Sequence, residues 1–430
     1  MEVNKTDFIA KVKDADPGME AKDVDPGMKA KETDPEKDVK DADPEMEVKE
    51  TDLKECRTHI DEIDDQIIKL FEERMAVSEE VAMYKIRTGM QVLDPVRERE
   101  KIQSLRKKAH GDFNANGAEL LFRQIMAVSR KRQYQLLTER GRDDMPYEGE
   151  FTEKLRVSGS TVVFQGVEGA YSFAAMKKYF GDDISSFHAA TWREAMEAVR
   201  CGKAVYPVLP IENSTAGIVS DIYDLMMEYG LYIVGGQIIR VEHVLLGLPG
   251  AKLEDIKKVC SHPQGLMQCK AFLEKHPDWE QITEKNTAGA AKAVSRDADI
   301  RKAAIASREA GKVYGLSVLA ENICENRKNE TRFIIVSRNP VYESCSDTVS
   351  ICFELPHESG SLYNMLSHII FNGLNMTRIE SRPIPGRNWE YRFFVDFEGN
   401  LRDSAVKNAL KGIASEALRM RVLGNYVEYS

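Results

Sequence analysis

Apolar residues recur at helical spacing between Leu53 and Arg87. Leu53, Ile60, Ile63, Ile67, Leu70, Phe71, Val77 and Val81 form a stripe with charged residues between them. The pattern predicts one long helix, which Gly89 and Pro95 punctuate. Asp94-Pro95 predicts the cap of a second helix over 96–109, and a third is expected over 117–137. Three helices with short connections make an all-α module. A helix of about 35 residues would run about 50 Å, more than its two shorter neighbours cover, so the stripe predicts packing against a second copy. The polar stretch 138–159 reads as a linker.

From Thr161 the period changes. Short apolar runs (TVVFQ, AVYPVLP, IKKVC, FIIVS) alternate with helix-like segments up to Arg338, the pattern of a parallel α/β domain. Beyond 347, TVSICFEL alternates apolar and polar as a half-buried strand does, and SLYNMLSHIIFNG reads as an amphipathic helix. Two further strands follow, the second placing Tyr391, Phe393, Val395 and Phe397 on one face. A helix near 404–418 and the strand MRVLGNYVE complete βαββαβ, the ferredoxin-like order.

The first fifty residues break every such pattern. Four nonapeptides, Asp14–Lys22, Asp23–Lys31, Glu32–Lys40 and Asp41–Lys49, each carry Asp-Pro at their third and fourth positions. With Phe8 as the only aromatic and a proline every nine residues, the segment 1–51 is expected to be disordered. It holds 16 acidic and 9 basic residues, a balance of −7, so the remaining 380 residues carry only −3 of the total −10. Nothing in that balance points to nucleic acid or a membrane surface. No apolar run approaches a membrane span and no secretory signal opens the chain, so a cytoplasmic protein is expected. The seven cysteines form no CxxC pair and the histidines lack metal-ligand spacing, which predicts reduced thiols and no metal site.

Candidate chemistry falls in three places. In the long helix, Arg74 and Lys85 lie eleven residues apart, three turns plus about 20°, and so share a stripe. Arg57 falls about 100° round from it, so if Arg57 reaches the same ligand it comes from a partner copy. Asp94 and Glu98 share a face, as do Ser129 and Gln133. A solvated face with scattered ion pairs is the alternative. In the α/β domain, polar clusters follow the strands: Gly166 to Ser172, Ile211-Glu212-Asn213-Ser214-Thr215, Ser261-His262-Pro263-Gln264, Asn286-Thr287-Ala288 and Thr331-Arg332-Phe333. Strand ends and helix N-termini of this kind bind small anions. In the last module, Ser359-Gly360-Ser361-Leu362 opens a helix and Glu380-Ser381-Arg382-Pro383 lies on a strand.

In order and spacing, Arg57, Arg74, Lys85, Asp94, Arg97, Glu98, Ser129 and Gln133 resemble the active-site pattern of the all-helical chorismate mutases. The resemblance implies that Arg57, Arg74 and Arg97 address carboxylates, that Lys85 and Gln133 donate to the ether oxygen, and that Asp94 and Glu98 address the ring hydroxyl. Residues 160–338 resemble prephenate dehydratases through PIENS (Pro210–Ser214), SHPQ (Ser261–Gln264) and TRF (Thr331–Phe333), with Asn286 standing where that family has serine. This implies that Thr331 assists departure of the hydroxyl. Ser172, Asn213, Ser214, Thr215, Gln264, Thr287 and Arg332 would then hold the carboxylates of prephenate. Residues 347–427 resemble an ACT domain, with Gly360, Ser361, Leu362, Glu380, Ser381 and Arg382 as effector contacts.

The implied architecture is a helical chorismate mutase bundle (52–138), a linker (139–159), a two-lobed periplasmic-binding-protein-like α/β dehydratase domain (160–338) and a ferredoxin-like ACT domain (347–427). The implied partners are chorismate and prephenate as substrates, L-phenylalanine as allosteric inhibitor and a second copy in a homodimer or higher oligomer, with no cofactor. Two other readings stay open: a single-activity dehydratase whose helices only dimerise, and a non-catalytic amino-acid sensor.

Overall fold

The computed structural model describes residues 53–140 and 145–430; the nonapeptide repeat lies outside them. Two compact units divide the chain, Met1–Lys69 and Leu70–Ser430. The described part of the first is the N-terminal stretch of helix α1, where Leu53, Ile60, Ile63, Ile67 and Ile68 are exposed.

Helices α1 (Leu53–Thr88), α2 (Pro95–Arg106) and α3 (Asp112–Arg140) form the helical module. Gly89 turns the chain out of α1 at φ +70, and the Asp94 side chain caps α2 by accepting from Arg97 N–H. Helix α3 begins five residues before its expected start. Gly117 costs a helix about 1 kcal/mol but does not end it, and the chain turns instead at Gly111, φ +77. Ser78 and Ala82 are buried, whereas Leu70, Val77 and Val81 stay exposed. Small and polar residues face α3, where Gln133 donates to Ser78 Oγ (3.1 Å); Val77 and Val81 line the cavity between the helices, and Ile60, Ile63, Ile67 and Leu70 are exposed.

The expected linker is partly ordered structure. Strand β1 (Glu150–Thr152) pairs in parallel with β13 (Val341–Glu343), tying the entrance of the α/β domain to its exit. Between them run β2 (Thr161–Gln165), α4 (Tyr171–Phe180), β3 (Ser185–Ala189), α5 (Trp192–Arg200), β4 (Tyr206–Asn213), β5 (Gly217–Ile218), α6 (Ser220–Tyr229) and β6 (Tyr232–Arg240). The chain then crosses to a second lobe: β7 (His243–Gly247), β8 (Lys258–Ser261), α7 (Pro263–Gln268), α8 (Lys270–Leu273), β9 (Glu280–Thr283), α9 (Thr287–Asp297), β10 (Lys302–Ser307), α10 (Arg308–Tyr314) and β11 (Ser317–Ala320). Strand β12 (Glu330–Ser337) returns to the first lobe.

The second lobe is a five-stranded sheet, β11-β7-β10-β8-β9. Neither lobe has the purely parallel sheet that the alternating pattern predicted. β12 runs antiparallel between β4 and β6, and β7 antiparallel to β10, because the strands that carry the chain between lobes enter each sheet from its opposite end.

The C-terminal segment is β14 (Thr348–Glu354), α11 (Ser361–Phe371), β15 (Met376–Pro383), β16 (Tyr391–Glu398), α12 (Ser404–Glu416), β17 (Arg419–Tyr426) and β18 (Glu428–Tyr429). Its order, β15-β16-β14-β17, is the ferredoxin-like one. The sheet continues into the first lobe through β17 and β6, and β18, beyond the expected end at 427, also pairs with β6. Contact is close: a Cβ on Gly424 would sit 2.2 Å from Ile233 O. β14 is buried on both faces rather than one. Val349, Ile351 and Phe353 pack under α11 and α12, while Cys352 joins the first lobe's core beside Tyr223, Phe394 and Leu423.

Candidate active sites

Arg74, Lys85, Asp94, Arg97, Glu98, Ser129 and Gln133 all line one cavity of about 690 Å³. The helices explain the convergence. Arg74, Ser78 and Lys85 share the inner face of α1, Arg97 and Glu98 lie on the first turn of α2, and Ser129 and Gln133 sit one turn apart on α3. Arg74 donates to Ser129 Oγ (2.5 Å) and Lys85 to Val92 O (2.6 Å). Burial lowers the pKa of both cations; Glu98 offsets this in part at Arg74, and Asp94 with Glu98 in part at Lys85. Gln133 uses one end of its buried amide on Ser78, and its Oε1 has no protein partner. Arg57 lies on the N-terminal stretch of α1 and is exposed. The sequence reading missed Arg130, which donates to both oxygens of Glu98 (2.8 and 2.7 Å). An arginine flanked by Ser129 and Lys131 on a polar helix gave no signal of its own.

In the α/β domain two clusters form beside the crossovers between lobes. In the first, Asn213 Nδ2 donates to Thr331 Oγ1 (2.8 Å) and Asn329 Oδ1 (2.8 Å), while its Oδ1 accepts from Thr215 and Ala216 N–H. Register places Asn213 opposite Thr331 on paired strands. Ser214 Oγ accepts from Glu330 N–H (2.9 Å), and Thr215 Oγ1 accepts from Asn326 (3.2 Å). Both hydroxyls thus hold the loop before β12, and neither caps α6, whose cap is Val219.

In the second cluster, Tyr171 Oη lies 3.1 Å from His243 Nδ1, and His243 Nε2 lies 3.1 Å from Gln268 Oε1. Gly265 lets this group close: a Cβ there would meet Ser261 Oγ at 2.7 Å, Thr287 Cγ2 at 3.2 Å and His243 Nε2 at 3.7 Å. Burial lowers the His243 pKa to about 4, so the ring is neutral near pH 7. Ser172 donates to Gln165 O. Gln264 stands in the first turn of α7, capped by His262, and Asn286 caps α9 through Gly289 N–H (2.6 Å). His243 and Asn329 were not read from the sequence, since one buried histidine or asparagine leaves no periodic mark.

Arg332 is a correction. Expected to hold a substrate carboxylate, it lies on the opposite face of β12 from Thr331, because successive side chains alternate. Its Nη1 donates to Asp396 Oδ2 (3.0 Å) and its Nη2 to Tyr426 Oη (2.7 Å), and its Nε faces Glu428. Burial opposes the Arg332 charge, but Tyr426, Asp396 and Glu428 more than offset it and raise the pKa. In the C-terminal segment, Gly360 (φ +83) precedes α11, Ser361 Oγ donates to Glu358 O and Leu362 packs on the core. Glu380, Ser381 and Arg382 lie on β15, with Arg382 paired to Asp224 of α6.

The family model for chorismate mutase type II matches residues 56–134, and that for prephenate dehydratase matches residues 162–341. A bifunctional chorismate mutase/prephenate dehydratase of Stutzerimonas stutzeri is 33% identical over 380 residues, 87% of this chain and 97% of that one. The chain belongs to the family of bifunctional chorismate mutase/prephenate dehydratases. As a member it is an enzyme of phenylalanine biosynthesis with a mutase domain and a dehydratase domain. Among solved structures, the prephenate dehydratase of Arthrobacter aurescens in complex with L-Phe is 31% identical, with a TM-score of 0.57, over 62% of this chain and 90% of that one. A protein described as a novel type of quorum-quenching acylase is 32% identical, with a TM-score of 0.58, over 62% of this chain and 98% of that one. Among the described residues no helix is long and apolar enough to cross a membrane.

Proposed function

We propose that the chain converts chorismate to prephenate in the helical cavity and prephenate to phenylpyruvate at the Asn213–Thr331 cluster, under feedback from L-phenylalanine. The observation that carries the first half is one cavity shared by Arg74, Lys85, Asp94, Arg97, Glu98, Ser129 and Gln133. The rearrangement is pericyclic and needs no nucleophile. It needs a flexible dianion held in a compact conformer and the growing charge on its ether oxygen stabilised. Arg74 and Arg97 take the carboxylates, joined by Arg57 of a second copy. Lys85 and the amide of Gln133 address the ether oxygen. Asp94 and Glu98 take the ring hydroxyl, with Ser129 holding Arg74 in place.

For the dehydratase step, the Asn213 amide occupies an acceptor site on the Thr331 hydroxyl and leaves the Thr331 proton to point at the departing hydroxyl of prephenate. That C–O bond breaks as the ring carboxylate leaves as carbon dioxide. The electron pair of the broken C–C bond completes the aromatic ring, and hydroxide takes a proton to become water. Ser172, Gln264 and Thr287, with helix N-termini beside them, supply hydrogen bonds to the carboxylates.

Phenylalanine feedback is supported by the ferredoxin-like C-terminal segment, read as an ACT domain, and by the similarity to a dehydratase that binds L-Phe. The effector site is Gly360, Ser361 and Leu362 with Glu380, Ser381 and Arg382. A cytoplasmic location accords with this biosynthetic role.

The test is a chorismate time course on the full chain, with prephenate and phenylpyruvate followed separately, with and without L-phenylalanine. Prephenate should appear first and phenylpyruvate second, and L-phenylalanine should slow the second. Absence of prephenate would reduce the helical module to a dimerisation element.

A further inference from the structure

Arg130 is buried on α3 and lies between two carboxylates from different domains. On one side its Nη1 grips both oxygens of Glu98, in the mutase cavity. On the other its Nε donates to Glu416 Oε1 (2.8 Å) and its Nη2 reaches Glu416 Oε2 (3.3 Å). Glu416 is the last residue of α12 in the C-terminal domain, and its side chain is 8% exposed. His368 of α11 approaches the same carboxylate at 3.3 Å. That approach depends on Gly412, where a Cβ would come within 2.3 Å of His368 Nδ1. The neighbouring Lys131 places its Nζ 5.4 Å over the Phe371 ring of α11. Burial works against the Glu416 charge, but His368 and Arg130 hold its pKa down at about 2.

Glu98 therefore faces the cavity with its carboxylate held by an arginine that is itself held from the C-terminal domain. The Arg130–Glu416 pair is bidentate, Nε to Oε1 and Nη2 to Oε2, and such a pair fixes position as well as charge. Arg130 is not a substrate-carboxylate ligand of the kind assigned to Arg74 and Arg97, since all three of its nitrogens already serve protein carboxylates.

We infer that Arg130 is a positioning residue for the mutase reaction and that Glu416, backed by His368, makes the C-terminal domain a direct control on the mutase site, separate from any control on the dehydratase. The inference rests on the reading of the cavity as the chorismate site and goes beyond it. A shift of α12 alters Arg130 and thereby Glu98, with no message passing through the α/β domain.

The experiment uses the full-length protein with Glu416→Gln, Glu416→Asp and Arg130→Ala, assayed on chorismate and, separately, on prephenate. Glu416→Gln keeps shape and removes charge. It should lower mutase kcat about tenfold through misplacement of Glu98. KM for chorismate should stay within about twofold, because the arginines that bind the carboxylates are untouched. Glu416→Asp should recover part of the loss, and prephenate turnover should be unchanged. Arg130→Ala should lower kcat at least as far. L-Phenylalanine should alter the mutase rate of the unaltered protein and not that of Glu416→Gln, while still acting on the dehydratase of both.

Unchanged mutase kcat in Glu416→Gln or in Arg130→Ala would overturn the inference. So would parallel loss of both activities, which would mark a folding effect. An unaltered protein that makes no prephenate would instead remove the reading of the cavity itself, before any variant is compared.

Discussion

Thr331 and Arg332 stand side by side in sequence and part company in space, and substitutions separate their roles. Thr331→Ala removes the hydroxyl that Asn213 orients, together with one methyl group, so phenylpyruvate formation should be lost while conversion of chorismate to prephenate stays near normal. Product analysis of the two steps checks this. Arg332→Ala leaves Glu428 without its cation and Asp396 with Arg378 and Ser350 as remaining partners, and should destabilise the α/β unit by about 1–3 kcal/mol. Denaturant unfolding should report that loss. Prephenate KM, for any protein that remains folded, should change far less than removal of a carboxylate ligand would demand. The residue types of TRF were legible in the sequence as chemistry, but the face each one serves was not. That depends on Asp396, Tyr426 and Glu428 of the C-terminal strands, which continue the same sheet, and no local pattern records it.

His243 adds a pH dependence at the same scale. Its folded pKa of about 4 lies below the ordinary histidine value of 6.5 because burial disfavours the charged ring. Below that ordinary value the unfolded chain takes up the proton and the folded chain does not. Stability is therefore full above about pH 6.5 and falls progressively towards pH 4, by about 3 kcal/mol from this group at 1.36 kcal/mol per unit. Unfolding midpoints between pH 7 and 4.5 should show the slope, and His243→Gln should flatten it.

At the level of elements, strong periodicity was read well and its partners were not. The helices of the first module, the alternation of strands and helices after Thr161 and the βαββαβ order of the C-terminal segment all follow from local spacing. TVSICFEL alternates as a one-sided strand, yet both its faces are covered, because Ser350 and Cys352 face a network and a core supplied by the first lobe. The stretch 138–159 read as a linker because a three-residue strand leaves no period to detect. Gly424 shows how closely these elements depend on one another. Replacing it with valine would drive a side chain into Ile233 O and separate β17 from β6. Replacing a strand glycine ordinarily gains about 0.5–1 kcal/mol, but here the expected result is a net loss of about 1–3 kcal/mol or more by overpacking. The C-terminal segment should then become protease-sensitive ahead of the lobes, which limited proteolysis of the Gly424→Val protein would reveal.

For the whole molecule, the outward stripe of α1 decides how the mutase site is completed. Ile60, Ile63, Ile67 and Leu70 are between 42% and 63% exposed, apolar positions at helical spacing that favour a second copy of the chain. Arg57 falls off the Arg74–Lys85 stripe, so a symmetric dimer in which each copy lends Arg57 to the other's cavity satisfies both observations. Mixing inactive proteins tests this arrangement. Arg57→Ala and Lys85→Ala should each be nearly devoid of mutase activity. After unfolding and refolding together, about half of the dimers are mixed, and each of these has one cavity with both defects and one with neither, so about a quarter of the unaltered activity should return. If Arg57 acted within its own subunit, every cavity in the mixture would carry one defect and no activity would return. Replacing Ile63 and Leu70 with aspartate should yield a monomer in sedimentation equilibrium, which loses mutase activity and keeps prephenate turnover, because Thr331 and Asn213 come from one chain.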